Sequence, residues 1–208
     1  MQLLILFVAG AWIGSVFCDN QCFTSVFTDC ARSTLGFEDS DDTPTLCKHL
    51  KKQFDCLSEK AVICRMGFSK EAQKVSEILK QMCTKGNTIN AEFERQKKCF
   101  KTAVDERKCH DPMDKILGTG ETLKEMIRSN KEACKQLDSY SRCIVSSVET
   151  KCGRSNKNFF SSLFDPMMKF GQAVCDQLVT PADENTNEPR NVALISPIAI
   201  IPSFFIYA

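Results

Sequence analysis

The chain has little of what most catalytic and metal sites are built from. Its 208 residues include two histidines, and they contain no Cys-x-x-Cys pair, no nucleophile-elbow motif and no phosphate-cradling glycine loop. Lys and Arg number 27 against 26 Asp and Glu, so no excess of one charge indicates a nucleic acid or an anionic membrane as partner. These absences favour a protein that is not an enzyme, uses no metal or other cofactor and has no nucleic-acid partner.

Cysteine is the residue present in excess, with 13 copies. Thiols spaced mostly eight to ten residues apart do not offer the paired thiolates that a structural zinc site takes from one tight turn. Disulfides are the better interpretation, and disulfides persist in secreted and cell-surface proteins rather than in a reducing cytosol. We therefore predict a secreted or extracellular location.

Residues 1–18 have the character of a secretory signal peptide. The apolar stretch from Leu3 to Gly14 is too short to span a membrane, as in a signal peptide. Signal peptides usually have a Lys or Arg before this stretch, and here there is none. Val16 and Cys18 are small enough for signal peptidase at the third and first positions before Asp19. Cleavage there removes Cys18 and leaves twelve cysteines, an even number that fits six bridges.

Apolar residues recur at intervals of three and four along the chain, which predicts helices and no strands. The chain up to Cys83 is expected to hold three helices, at about 21–35, 44–64 and 69–83, the second of them capped by Thr43-Pro44. The fold class predicted from this pattern is all-α, a disulfide-rich helical bundle.

The second part of the chain gives a similar pattern with more interruptions. A helix is expected at about 90–108, followed by a turn at His110-Asp111-Pro112. A long helix, broken near Ser129-Asn130, then leads to Gly153. The last helix should kink or restart at Asp165-Pro166, because proline disrupts a helix interior and disfavours the helical conformation before it.

The twelve cysteines form two sets of the same order: Cys22, Cys30, Cys47, Cys56, Cys64 and Cys83, then Cys99, Cys109, Cys134, Cys143, Cys152 and Cys175. Successive cysteines differ by 8, 17, 9, 8 and 19 in number in the first set and by 10, 25, 9, 9 and 23 in the second. The central intervals hold while the loops lengthen, as expected when helices are kept and insertions fall between them. We predict one domain, residues 19–179, made of two pseudo-repeated three-helix halves at 22–83 and 99–175.

If each half closes on itself with antiparallel helices, bridged cysteines should have residue numbers that add up to a nearly constant value. This rule predicts the bridges Cys30–Cys47 and Cys22–Cys56 in the first half, and Cys109–Cys134 and Cys99–Cys143 in the second. The remaining bridges, Cys64–Cys83 and Cys152–Cys175, would then tie the third helix of each half to its second. One observation conflicts with it. Cys47 and Cys56 are nine residues apart, and at about 100° per residue they face opposite sides of a regular helix.

This order of cysteines, with the Cys152-Gly153 step ahead of a last helix that closes on Cys175, resembles a known family. It is the twelve-cysteine secreted domain of unknown function that is widespread in nematodes and related invertebrates. The resemblance covers Cys22 to Cys175 and rests on cysteine order and amphipathic helices. It implies an extracellular helical domain, and it supplies no catalytic residue and no ligand. The long interval from Cys109 to Cys134 is where a departure from the family pattern is expected.

The C-terminal part of the chain changes in composition. Residues 180–191 are polar and without periodicity, which predicts a linker, and residues 192–208 are apolar and carry no charge. A polar spacer before an apolar tail is the signal for a glycosylphosphatidylinositol anchor, and Asn185 is the candidate attachment residue, with Ala182 as the alternative. A plain secreted protein that keeps its tail is the second interpretation. A membrane span is the third, since two prolines and a length of 17 residues disfavour it.

Two further features admit a functional interpretation. Cys109-His110-Asp111 is similar to the His-Asp pair beside a cysteine in secreted phospholipases A2, but the glycine-rich calcium loop of those enzymes is absent, and a turn position is favoured for His110. Aromatic and methionine residues cluster between Phe159 and Phe170. Core packing is the favoured interpretation of this cluster, and a cavity for a lipid is the alternative.

The leading prediction is therefore an extracellular or cell-surface module with a binding or structural role and an unidentified protein or matrix partner. A carrier of a small apolar ligand or lipid is the second, and a secreted hydrolase is the third. Contact with a membrane is expected only through the lipid anchor.

Overall fold

The computed structural model describes residues 22, 25–30, 46–117 and 123–178, and these residues are helical or lie in short turns between helices. Helix α1 comprises residues 22 and 25–30, and a π-helical turn, Leu46–Leu50, leads into α2. The other helices are α2 Lys51–Ile63, α3 Ser69–Cys83, α4 Thr88–Val104, α5 Arg107–Leu117, α6 Leu123–Cys152 and α7 Arg154–Cys175. The predicted all-α, disulfide-rich fold class is confirmed.

Local sequence accounts for several helix ends. The Asn87 side chain accepts a hydrogen bond of 2.8 Å from the Ile89 N–H and so caps the start of α4. Gly86, after α3, and Gly153, between α6 and α7, have φ angles of +85° and +88°, which glycine adopts at little cost. Gly153 was predicted to end its helix, and α6 ends at Cys152, directly before it.

The helices form two halves, α1–α3 and α4–α7. In the first half α2 packs against α3, and in the second α6 packs against α4, α5 and α7. Helix α3 also contacts α4 and α7, and the buried side chains of both halves belong to one core. The chain is therefore a single bundle in which α3 and α7 form the seam.

Helix α7 extends across this seam. Near its start, Phe160 lies 5.2 Å from the Phe100 ring of the second half. Further along, Phe170 lies edge-on to two rings of the first half, at 5.1 Å from Phe54 and 5.7 Å from Phe68. These five side chains are fully buried, so one helix carries the aromatic packing of both halves.

All twelve predicted cysteines form disulfides, with Cα–Cα distances of 5.5 to 5.9 Å. The bridges are Cys22–Cys64, Cys30–Cys56, Cys47–Cys83, Cys99–Cys152, Cys109–Cys143 and Cys134–Cys175. In both sets the first cysteine bonds the fifth, the second bonds the fourth and the third bonds the sixth. None of these bridges joins the two halves.

The six predicted partner assignments are wrong, although their confinement to each half is right. Cys47 and Cys56 face opposite sides, so they bond different neighbours: Cys56 bonds Cys30 of α1, and Cys47 bonds Cys83 of α3. The antiparallel pairing exists in another register, since the two cysteines of α1 bond Cys64 and Cys56 in reverse order. The helical phase conflict noted in the sequence is resolved in this way.

Two predictions for the second half are also wrong, because His110-Asp111-Pro112 lies within α5 and α6 continues through Ser129-Asn130. Of the two outcomes predicted for Asp165-Pro166, a restart is wrong, because α7 continues through these residues as one helix, and a kink stays a prediction. As far as the structure describes it, the second half thus has four helices rather than three. In each case the burial of an apolar helix face outweighs the local preference of proline or of polar residues for a break. In α7 that face continues past the proline through Met167, Phe170 and Val174.

Several predicted segments lie outside the described residues. They are the signal peptide at 1–18, the Thr43-Pro44 cap, the linker at 180–191 with the anchor candidate Asn185, and the apolar tail at 192–208. Within the described ranges, no helix combines the length and the apolar character that crossing a membrane requires.

Candidate functional site

The twelve cysteines in the described residues offer no reactive thiol, because each is bonded to another. In the part of the chain that the structure describes, no group of three or more His, Cys, Asp or Glu side chains is arranged to hold a metal ion.

His110, the residue compared with phospholipases, is buried against α4 and α6 rather than placed in a turn. Its Nε2–H donates to the Val104 carbonyl, and its ring lies edge-on to Tyr140 with centroids 5.5 Å apart. The neighbouring Asp111 is exposed. Because only 8% of His110 is accessible and its Nε2 is used at the end of α4, this arrangement is structural and does not resemble a water-activating pair.

The end of α4 explains why a histidine is needed there. The last three carbonyls of this helix, at 102–104, have no partner within the helix and accept in turn from Lys151, Ser147 and His110. Lys151 also pairs with Glu106, and its hydrogen bond holds the pKa of that half-buried carboxyl below its usual value. Side chains of α5 and α6 thus cap α4.

The aromatic and methionine cluster is core packing, as favoured. Phe160, Phe164, Met167 and Phe170 have no accessible surface, and Phe159 and Met168 are half-buried against the same core. Neighbouring rings are in direct contact, for example Phe160 and Phe164 at 5.2 Å. The cluster packs on rings of the second half and, through Phe170, on Phe54 and Phe68 of the first half.

A different feature, at the end of α2, is the strongest candidate for a contact surface. Val62 and Ile63 are 50% and 73% exposed, and they are the large hydrophobic side chains that stand out to solvent among the described residues. They adjoin Arg65, which is exposed as well. We call Val62, Ile63 and Arg65 the α2 tip.

The backbone at the α2 tip has an uncommon residue in a common motif. The Met66 N–H donates to the Ala61 carbonyl at 2.8 Å and the Arg65 N–H to the Val62 carbonyl at 3.1 Å, which is the hydrogen-bond pattern of a Schellman motif. Glycine is usual at the left-handed position of this motif, but here Arg65 holds it with a φ of +53°. A non-glycine residue in this conformation costs about 1–2 kcal/mol. The fold therefore keeps an arginine beside two exposed apolar side chains at a conformational cost.

Contacts around the α2 tip fix its place in the fold. The Cys22–Cys64 bridge ties it to α1, and Lys60 pairs with Asp29 at 2.5 Å. In the loop that follows, Gly67 lies so close to Gln177, just after α7, that a Cβ at Gly67 would be 2.3 Å from the Gln177 amide nitrogen. The tip thus lies at the end of the bundle where α7 ends.

Among its described residues, the second half has no equivalent apolar surface. The residues before Cys152 that correspond to Val62 and Ile63 are Thr150 and Lys151, and both are polar. Nearby, Glu149 pairs with Lys157 at 2.6 Å and with Arg154 at 3.3 Å. The Lys157 hydrogen bond is the main cause that lowers the pKa of Glu149.

Sequence reasoning missed the α2 tip because Val62 and Ile63 occur in a strongly helical segment and pass as core residues. The sequence does contain an indication of their exposure, namely their position around the axis of α2. Phe54, Leu57 and Ala61 form the buried stripe of α2, and the two residues after Ala61 lie off that stripe.

Comparison of the chain with protein-family models, with curated proteins and with solved structures finds no match.

Proposed function

We propose that this chain is an extracellular module with a binding or structural role, held at the cell surface by a glycosylphosphatidylinositol anchor at Asn185. The observation that carries the extracellular part is the set of six disulfides, which is typical of secreted proteins. The polar linker and the uncharged apolar tail support the anchor. No catalytic role is proposed, and protein or matrix partners remain to be identified.

Membership in the twelve-cysteine family, and with it an internal repeat, is part of this proposal. Both cysteine sets have the same order of bonding. The residue directly after the fifth cysteine, Arg65 in one half and Gly153 in the other, has a positive φ in both. A duplicated three-bridge unit accounts for the two similarities together.

Rigidity suits a binding or structural role. Each disulfide is expected to contribute roughly 2–4 kcal/mol to stability. Because the bundle is already rigid, its surface should lose little conformational entropy on binding. The carrier function is the weaker candidate, because the rings that would surround a ligand contact one another.

The test is the intact mass of the protein made by eukaryotic cells, taken from the secreted fraction and from the detergent-extracted membrane fraction. We expect a membrane species that ends at Asn185, carries a glycolipid and lacks twelve thiol hydrogens. A soluble species that keeps Ala208 would contradict the anchor.

A matched pair of variants tests the signal itself. Ile198→Asp places a charge in the apolar tail, and Asn187→Asp places the same side chain in the linker. We expect the first to lose cell-surface display and the second to keep it, because only the tail must be apolar. Equal display of both variants would also contradict the anchor.

A further inference from the structure

The exposed apolar pair at the end of α2 is specific to one end of the bundle. Val62 and Ile63 lie beside the loop whose Gly67 contacts Gln177, and the described chain ends one residue later, at Leu178. The α2 tip therefore lies close to the point from which the chain continues toward Asn185.

The length of the connecting peptide limits how the domain can be placed. Asn185 is the seventh residue after Leu178, and this stretch reaches about 25 Å when fully extended. Helix α7, with 22 residues, is about 33 Å long. If the anchor is at Asn185, the end of the bundle where α7 ends is the end nearest to the attachment residue.

The side chains of the α2 tip suit the interface of a phospholipid bilayer. Branched aliphatic side chains insert among the headgroups, while a long cationic side chain keeps its charge at the phosphate level. The charged residues that flank the tip in sequence have both signs, namely Glu59, Lys60 and Lys70 in addition to Arg65. This mixture fits a zwitterionic surface better than an anionic one.

We propose that the α2 tip inserts into the headgroup region of a zwitterionic phospholipid surface and so orients the anchored domain. Val62 and Ile63 are the inserting side chains, and Arg65 contacts phosphate groups. The opposite end of the bundle, where Thr150 and Lys151 occupy the corresponding positions, points away from the lipid. This inference rests on the proposed anchor.

The test uses the fact that the one tryptophan of the chain, Trp12, is in the predicted signal peptide. Ile63→Trp and Thr150→Trp each introduce a single fluorophore at an exposed position. The anchored proteins are purified from eukaryotic cells and reconstituted in phosphatidylcholine vesicles with and without brominated acyl chains. We expect several-fold quenching and a blue shift for Ile63→Trp, and neither for Thr150→Trp. Adding Arg65→Glu to Ile63→Trp should reduce the quenching.

The outcomes separate the two proposals. A mass that keeps the C-terminal tail overturns the anchor, whatever the fluorescence shows. An anchored mass with an unquenched Ile63→Trp, or with equal quenching at both positions, overturns the insertion and leaves the anchor intact. If the tryptophan emission of Ile63→Trp is unchanged by lipid vesicles but shifts on intact cells, the α2 tip binds a protein partner. This result would also overturn the insertion. Circular dichroism of both variants checks that they fold.

Discussion

At the scale of single residues, the left-handed positions after the fifth cysteines show how a local conformation constrains side-chain choice. Gly153 has φ +88° and ψ +160°, a region that is essentially restricted to glycine, and nothing lies within 4 Å of where its Cβ would be. Arg65 has a φ of +53°, which other residues reach at a cost. Both halves thus have a positive φ at this position, but only Gly153 lies in the region that is restricted to glycine.

This difference predicts opposite effects of two substitutions. Arg65→Gly should raise the free energy of unfolding by about 0.5–1 kcal/mol, since relief of the left-handed strain exceeds the entropy that glycine gains in the unfolded chain. Gly153→Ala should lower it by about 1–3 kcal/mol, for conformational and not steric reasons. Urea unfolding followed by circular dichroism measures both. A destabilised Arg65→Gly protein would mean that the arginine side chain stabilises the fold itself, which would weaken its assignment to a contact surface.

Tyr140 gives a prediction for pH dependence. Burial, and secondarily the charge of Asp114, raises the pKa of its phenol well above the ordinary value of about 10. A group whose pKa is raised by folding contributes stability below the unfolded pKa, and this contribution is lost as the pH rises. Stability should therefore fall above about pH 10. Tyr140→Phe should make this fall shallower.

The measurement is tyrosinate absorbance in a rapid pH jump, which limits alkaline damage to the disulfides. The chain has two tyrosines, Tyr140 and Tyr207. If the anchor replaces everything after Asn185, Tyr140 is the sole tyrosine of the mature protein. Absorbance that rises only together with unfolding is the expected result, and an ordinary titration of the folded protein would contradict it.

At the scale of helices, α7 is the element on which both halves depend. Phe170→Ala removes a fully buried ring that packs against Phe54 and Phe68 of the other half, and we expect a loss of about 3–5 kcal/mol in unfolding free energy. Phe159→Ala is the matched control, since it is the same substitution in the same helix. Its ring is half-buried and lies 6.2 Å from Phe100 of its own half, so the loss should be smaller. Equal losses would mean that the seam contributes no more than the periphery.

Helices with an uninterrupted apolar stripe could be predicted from the sequence almost to the residue. The prediction of α3 as 69–83 matches its observed bounds, because Val75, Leu79 and Met82 recur at helical spacing and Gly86 follows. The prediction was wrong for the segment that contains Pro112. Pro112 suggested a turn, yet α5 forms because Cys109 and neighbouring side chains are buried and the Cys109–Cys143 bridge holds the segment on α6. Local sequence patterns do not indicate such tertiary contacts.

The α2 tip could be predicted only in part. Its apolar residues are off the buried stripe of α2, which the sequence shows. Their exposure depends on whether another segment covers them, and the position beside the end of α7 depends on the contact of Gly67 with Gln177. Neither fact follows from helical periodicity.

At the scale of the whole molecule, the bridges distinguish one register of antiparallel helices from another. Residue numbers alone allow several registers, and the choice depends on which faces of the central helices meet each neighbour. Cysteines nine residues apart on one helix must bond two different helices, as Cys134 and Cys143 do with α7 and α5. This rule, applied strictly, would have rejected the simple ladder.

Tryptic mapping without reduction tests this connectivity, because in the second half every cysteine falls on its own tryptic peptide. We expect three linked pairs there: 99–101 with 152–154, 109–115 with 143–151, and 132–135 with the peptide that starts at 170. A link between 99–101 and 143–151 would instead support the simple ladder.

In the first half, the tryptic peptide that ends at Arg32 carries both Cys22 and Cys30 and should be linked to 53–60 and 61–65, while 33–48 should be linked to 81–85. A link between any of these peptides and the second half would contradict the division into two units. The same digest tests the proposed anchor, since the peptide that starts at 170 should end in a glycolipid at Asn185 rather than at Arg190. One experiment therefore reports on the register of the helices, on the independence of the halves and on the fate of the tail, and each can fail without the others.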